Sequence, residues 1–94
     1  MLFRSLSRRR HGDRVKLPLT LPELGASRVT FSLWYVRRGE CVVEGDRVAE
    51  VLIPGATFDV HAPATGTLAE QLAFPNDALT PGQVLGWIEG ERPA

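Results

Sequence analysis

Lysine is almost missing from this chain. Lys16 is the only one in 94 residues, and every other position among the 11 Lys and Arg residues is arginine. Chemistry that needs an ε-amino group therefore has one position to use. Cysteine is as scarce: Cys41 stands alone, which excludes an internal disulfide and fits a reducing compartment. Net charge is absent too, with Asp and Glu also numbering 11, so no global field favours nucleic acid or a membrane surface. No apolar run approaches the length of a membrane span. The sequence also has no Gly-rich phosphate loop, paired zinc spacing or serine elbow, so the expectation is a protein without catalysis.

What is present divides at the fourteenth residue. Arg4, Arg8, Arg9, Arg10 and Arg14 crowd the first stretch, with Asp13 the one acid among them. Residues 1–14 read as a basic, solvated leader, because charge runs stay in water. The alternative is a transit peptide whose short amphipathic helix uses Leu2, Phe3 and Leu6. The expected location is the cytoplasm, or the mitochondrial matrix if the leader is a transit signal. A single domain is expected over residues 15–90, with a tail at 91–94.

From Val15 onward, short apolar runs are punctuated by Gly and Pro, the pattern of an all-β domain. Alternation over Val29–Val36 puts Val29, Phe31, Leu33 and Tyr35 on one face of a strand. Further strands are expected in Arg47–Val51, Phe58–His61, Gly66–Leu72 and Val84–Ile88. The piece from Leu68 to Leu72 also has the composition of a helical turn, but its length favours strand.

The chain repeats itself. Gly45 and Gly82 lie 82 − 45 = 37 positions apart, and that shift also aligns Phe31 with Leu68, Tyr35 with Leu72 and Val36 with Ala73. Val42 then meets Leu79, Val48 meets Leu85, and Val51 meets Ile88. The turn residues Arg38-Gly39-Glu40 fall on Pro75-Asn76-Asp77. Two similar β units bury their apolar faces by pairing, which predicts a two-sheet sandwich with a pseudo-twofold axis.

Several phrases carry a family resemblance. Val36 to Val48 resembles V-K-x-G-D-x-V-x-x-G-D-x-L, and Ala73 to Leu85 resembles a second copy of that phrase. Ala62-Pro63-Ala64-Thr65-Gly66-Thr67-Leu68 resembles an A-P-x-x-G-x-V crossover. Val15-Lys16-Leu17-Pro18 and Leu21-Pro22-Glu23-Leu24-Gly25 resemble the opening V-K-x-P-D-L-G. Together these resemble the lipoyl/biotinyl domain family, closest to lipoyl domains of 2-oxo acid dehydrogenase acyltransferases. The resemblance implies a flattened β-barrel of two four-stranded antiparallel sheets.

It also implies a cofactor-bearing hairpin, usually reading E-x-E-T-D-K-A-x-x-E-V-x-A-P, with the cofactor on the lysine. Here Glu50 to Pro63 follows that pattern, but Pro54 and Gly55 stand where the aspartate and lysine belong. Pro-Gly keeps a type II turn and supplies no amine. Leu52 and Ile53 replace the usual glutamate and threonine, and Phe58 stands on the return strand. The expectation is that the domain carries no covalent cofactor.

Leu52, Ile53, Pro54, Gly55 and Phe58 are the candidate interaction residues. The competing view turns at least two of the three apolar side chains inward as core. Trp34 and Trp87 are expected as buried barrel aromatics rather than interface anchors. Asp59 and His61 share a strand face but lack a third metal ligand, and nothing places Cys41 beside His61 as a nucleophile pair. The resulting expectation is a docking or assembly module for a protein partner, with a 2-oxo acid dehydrogenase component as one candidate. One alternative is a lipoyl carrier modified elsewhere. Another is a cofactor-free adaptor related to membrane-fusion proteins, though the helical hairpin those proteins insert between halves is missing.

Overall fold

The computed structural model describes residues 14–91, so the expected leader lies outside the described residues except for its last position. Arg14 already belongs to the first strand, where it pairs with Glu91, one residue before the expected boundary. Eight strands follow in order: β1 Arg14–Thr20, β2 Val29–Trp34, β3 Cys41–Val42, β4 Arg47–Ile53, β5 Ala56–His61, β6 Gly66–Gln71, β7 Ala78–Leu79 and β8 Val84–Glu91. They form two four-stranded antiparallel sheets with orders β1-β8-β6-β3 and β5-β4-β2-β7. The ambiguous Leu68–Leu72 segment is strand as far as Gln71, held between β3 and β8.

The two sheets are copies of each other, and the repeat read from the sequence predicts the copy bond by bond. Gly39 donates to the Leu68 carbonyl at 2.7 Å, and Asn76 donates to the Phe31 carbonyl at 2.9 Å. Leu68 donates to Glu40 at 2.9 Å, and Phe31 donates to Asp77 at 2.9 Å. Each half thus lends its first turn to a core strand of the other half. The second turns are built alike. The Asp46 carboxylate accepts from the Val43 N–H at 2.9 Å, and the Gln83 carboxamide oxygen accepts from the Thr80 N–H at 3.0 Å.

Backbone conformation obeys the same repeat. Gly45 and Gly82 have φ of 92° and 85°, left-handed values that glycine adopts without a Cβ clash. Gly39 at 95° is matched by Asn76 at 77°, asparagine being a side chain that tolerates this region. The first strands also correspond. Leu21, just after β1, donates to Gln83 at 2.9 Å, and Ala62, just after β5, donates to Asp46 at 2.8 Å. There the offset is 62 − 21 = 41, because the link from β1 to β2 is longer than that from β5 to β6.

The core fills the space between the sheets with the paired residues: Phe31 with Leu68, Val48 with Leu85, Val51 with Ile88 and Val42 with Leu79, all buried. Fully burying each such side chain contributes roughly 1.5–3 kcal/mol. One sequence expectation fails here. Val29 and Phe31 face the core, but Leu33 and Tyr35 are 40% and 42% exposed. A bulge between Phe31 and Leu33 adds one residue to β2, and an added residue inverts the alternation beyond it. The same bulge recurs in the β6–β8 pair between Leu68 and Glu70.

The inversion turns Trp34 inward. Its ring packs 5.2 Å from that of Phe31, and it is half-buried. Trp87 does otherwise. It lies opposite Pro18 and Glu70, one position before the buried Ile88, so it sits half-buried on the outer face of its sheet. Of the two expected barrel aromatics, only Trp34 reaches the core.

Candidate functional site

The β4–β5 hairpin closes through a two-residue turn, Pro54-Gly55, between the paired residues Ile53 and Ala56. Gly55 has φ of 80°, the value of the third position of a type II turn, with Pro54 before it at the position proline favours. Both are exposed, and a Cβ added at Gly55 would meet nothing within 4 Å. Any side chain at this position projects into solvent. Beside the turn lies a shallow depression of about 290 Å³ lined by Arg28, Thr30, Leu52, Ile53 and Pro54.

The candidate apolar residues do not form one patch. Phe58 lies opposite Val51, and Leu52 lies opposite Thr57, so Leu52 and Phe58 point to opposite faces of the hairpin. Leu52 is 40% exposed on the outer face, next to Thr30 and Arg28. Phe58 is on the core side, yet 37% exposed because β5 is an edge strand. Ile53 is half-buried and packs against the core. Alternation thus turns Ile53 and Phe58 to the core side and Leu52 outward, and none of the three is fully buried.

The outer face of the same sheet carries a polar cluster that sequence reading missed. Glu50 and Asp59 lie directly opposite each other across β4 and β5. Like charges so placed repel, and three side chains intervene. The Tyr35 hydroxyl donates to Asp59 Oδ1 at 3.0 Å and reaches Glu50 Oε2 at 3.4 Å. The Ser32 hydroxyl donates to Glu50 Oε1 at 2.9 Å. The Arg47 guanidinium lies 3.5 Å from Asp59 Oδ2 and 5.1 Å from the centre of the Tyr35 ring. The bond to Asp59, with partial desolvation and the two carboxylates, pushes the Tyr35 phenol above its ordinary value; Arg47 opposes this. A signal existed, because Glu50 and Asp59 fill the first and last acidic positions of the hairpin pattern. Tyr35 was invisible because the bulge moved it out of its expected face.

The remaining sequence candidates are dispersed. Asp59 is occupied by Tyr35 and Arg47, and no group of three metal-ligating side chains occurs among the described residues. Cys41 is exposed on β3 of one sheet, and His61 lies on β5 of the other. Lys16, on β1, is in the sheet that does not contain the hairpin, and its ammonium donates to Glu70 at 3.2 Å.

Comparison with known proteins agrees with this geometry. No family model matches the chain. It is 33% identical over 76 residues to the dihydrolipoyllysine-residue acetyltransferase component of an acetoin cleaving system from Pseudomonas putida. That match takes in 78% of this chain and 20% of the relative, so the chain spans about a fifth of its length. It also superposes on the solution structure of the lipoyl domain of the 2-oxoglutarate dehydrogenase complex from Azotobacter vinelandii. There the TM-score is 0.58 at 25% identity, covering 85% of this chain and 98% of that domain. The fold is that of a lipoyl domain, and the sequence is similar to the lipoyl/biotinyl family. Its hairpin is therefore the lipoyl-domain hairpin, with Pro54-Gly55 at the tip. A lipoyl domain of the acyltransferase type is the appropriate reference for this two-sheet fold.

Proposed function

We propose that this lipoyl-type domain is a non-catalytic docking module that carries no covalent cofactor and binds its partner through the β4–β5 tip. The observation that supports this most directly is an intact hairpin whose exposed turn is Pro54-Gly55. Acylation needs a nucleophilic amine, and neither residue supplies one. The chain's one lysine is held against Glu70 in the other sheet. The surface that remains at the tip is apolar: Leu52 and Pro54 are exposed, with Ile53 behind them and a depression alongside. Exposed apolar groups around a rigid turn are the kind of surface that protein partners cover.

The candidate partners are components of 2-oxo acid dehydrogenase-type enzymes, given the relatives the domain resembles. A reducing compartment such as the cytoplasm is the proposed location, with Cys41 a free, exposed thiol. Titration of the isotope-labelled domain with separate dehydrogenase components tests the reading. The expected result is amide shifts confined to residues 52–58 and their neighbours Arg28 and Thr30. Shifts elsewhere, or none with any component, defeat hairpin docking. Intact-mass analysis after co-expression with lipoate and biotin ligases decides the carrier alternative, since an adduct would restore it.

A further inference from the structure

We propose that this chain forms a twofold-symmetric homodimer by pairing the outer edge of β5 with the same edge of a second copy. The starting point is a difference between two edges that the internal repeat makes equivalent. β1 and β5 each end a sheet, and the matching bonds of Leu21 and Ala62 set them in register. By the same offset, 57 − 16 = 59 − 18 = 41, Thr57 and Asp59 of β5 are the counterparts of Lys16 and Pro18 of β1. Lysine and proline keep an edge from pairing: one side chain must stay hydrated, and the other residue has no N–H. β5 carries neither.

The backbone at these positions is aimed outward. Ile53 and Ala56 flank a two-residue turn and form a hydrogen-bonded pair. Alternation along the strand then points the N–H and C=O of Phe58 at β4, and those of Thr57 and Asp59 away from it. Among the described residues, β5 pairs with β4 alone.

The side chains select both the occupant and the register. With the twofold axis at Phe58, Thr57 of each copy forms a hydrogen-bonded pair with Asp59 of the other. The two Phe58 rings then stand opposite each other in the closer, non-hydrogen-bonded position and cover a side chain now 37% exposed. Each Asp59 carboxylate faces a threonine hydroxyl. Moving the axis to Asp59 would set two carboxylates face to face, next to Glu50, which already shares that face. A second copy of this chain in one register thus satisfies both edges. The inference goes beyond the docking reading and shares Thr57 and Phe58 with it.

Sedimentation equilibrium of the full chain without any other protein, from about 10 μM to about 1 mM, tests the dimer. The weight-average mass is expected to rise from 10.3 kDa towards twice that value. Thr57→Lys and Thr57→Pro install the chemistry of the β1 edge at a position facing away from β4. Each is expected to weaken association at least tenfold with an unchanged amide spectrum. Mixing labelled and unlabelled copies should give Phe58-to-Phe58 contacts between molecules. A monomer at every concentration overturns the proposal. So does a dimer equally strong in both Thr57 variants, or an edge that accepts only foreign extended peptides. Because no partner is present, failure here leaves the docking reading standing.

Discussion

Trp34 and Gln71 make one and the same bond in the two halves of the repeat. The Trp34 indole N–H donates to the Ala73 carbonyl at 2.8 Å, and the Gln71 carboxamide donates to the Val36 carbonyl at 3.0 Å. Each donor reaches across to the second residue after the partner strand, so each half latches the other. The two side chains share no chemistry beyond an N–H at the right reach. Position in the repeat set the bond before residue type did.

Breaking either latch leaves a carbonyl without its partner. Trp34→Phe and Gln71→Leu should each lower stability by about 1–3 kcal/mol, read as a lower urea midpoint with the slope unchanged. If the latches are independent, the double variant loses the sum of the two.

Gly86 is the counterpart of Ala49, and it makes room for Trp34. A Cβ added there would meet the Trp34 ring at 3.2 Å and collide with the Glu70 carbonyl. Gly86→Ala should therefore destabilise by roughly 1–3 kcal/mol through overpacking. Its amide spectrum should change around Trp34 and Glu70, and an unchanged melting curve would contradict this account.

At the first turns, Gly39 and Asn76 answer the same demand for a left-handed φ. Gly39→Asn should cost under about 1 kcal/mol, whereas Gly39→Val should cost about 1–2 kcal/mol because a branched Cβ meets the backbone there. Thermal unfolding of the pair separates the two cases.

The Tyr35 phenol titrates above its ordinary value of 10.0, chiefly because it donates to Asp59. Absorbance titration should place it higher than in Asp59→Asn, where the carboxylate is gone. The native state holds this proton more tightly than the unfolded chain does. Its contribution to stability is thus complete below the unfolded phenol value and is lost as pH rises through the raised native one.

Restoring an amine at the tip probes what disabled it. Gly55→Lys forces a side chain into φ 80° and should cost about 1–2 kcal/mol, although its Cβ meets no neighbour. Lipoate ligase is expected to leave this single variant unmodified by intact mass, because Leu52 and Ile53 still flank the turn. A variant that also restores glutamate, threonine and aspartate at positions 52–54 is the comparison.

Much of this molecule was legible in its sequence. The repeat of 37 positions determined which apolar residues meet, since two like β units can cover their faces only by pairing. Glycines at fixed places determined the turns, and Pro54-Gly55 determined a tip without an amine. Only the tertiary structure decided where Leu33, Tyr35 and Trp34 point, because a bulge is a property of two paired strands and leaves no mark on the alternation of one. It also decided that Leu52 and Phe58 part company and that Glu50 meets Asp59, since neighbours across a sheet are fixed by register. A strand's own order of residues carries its two faces; which face is covered depends on the partner lying beside it.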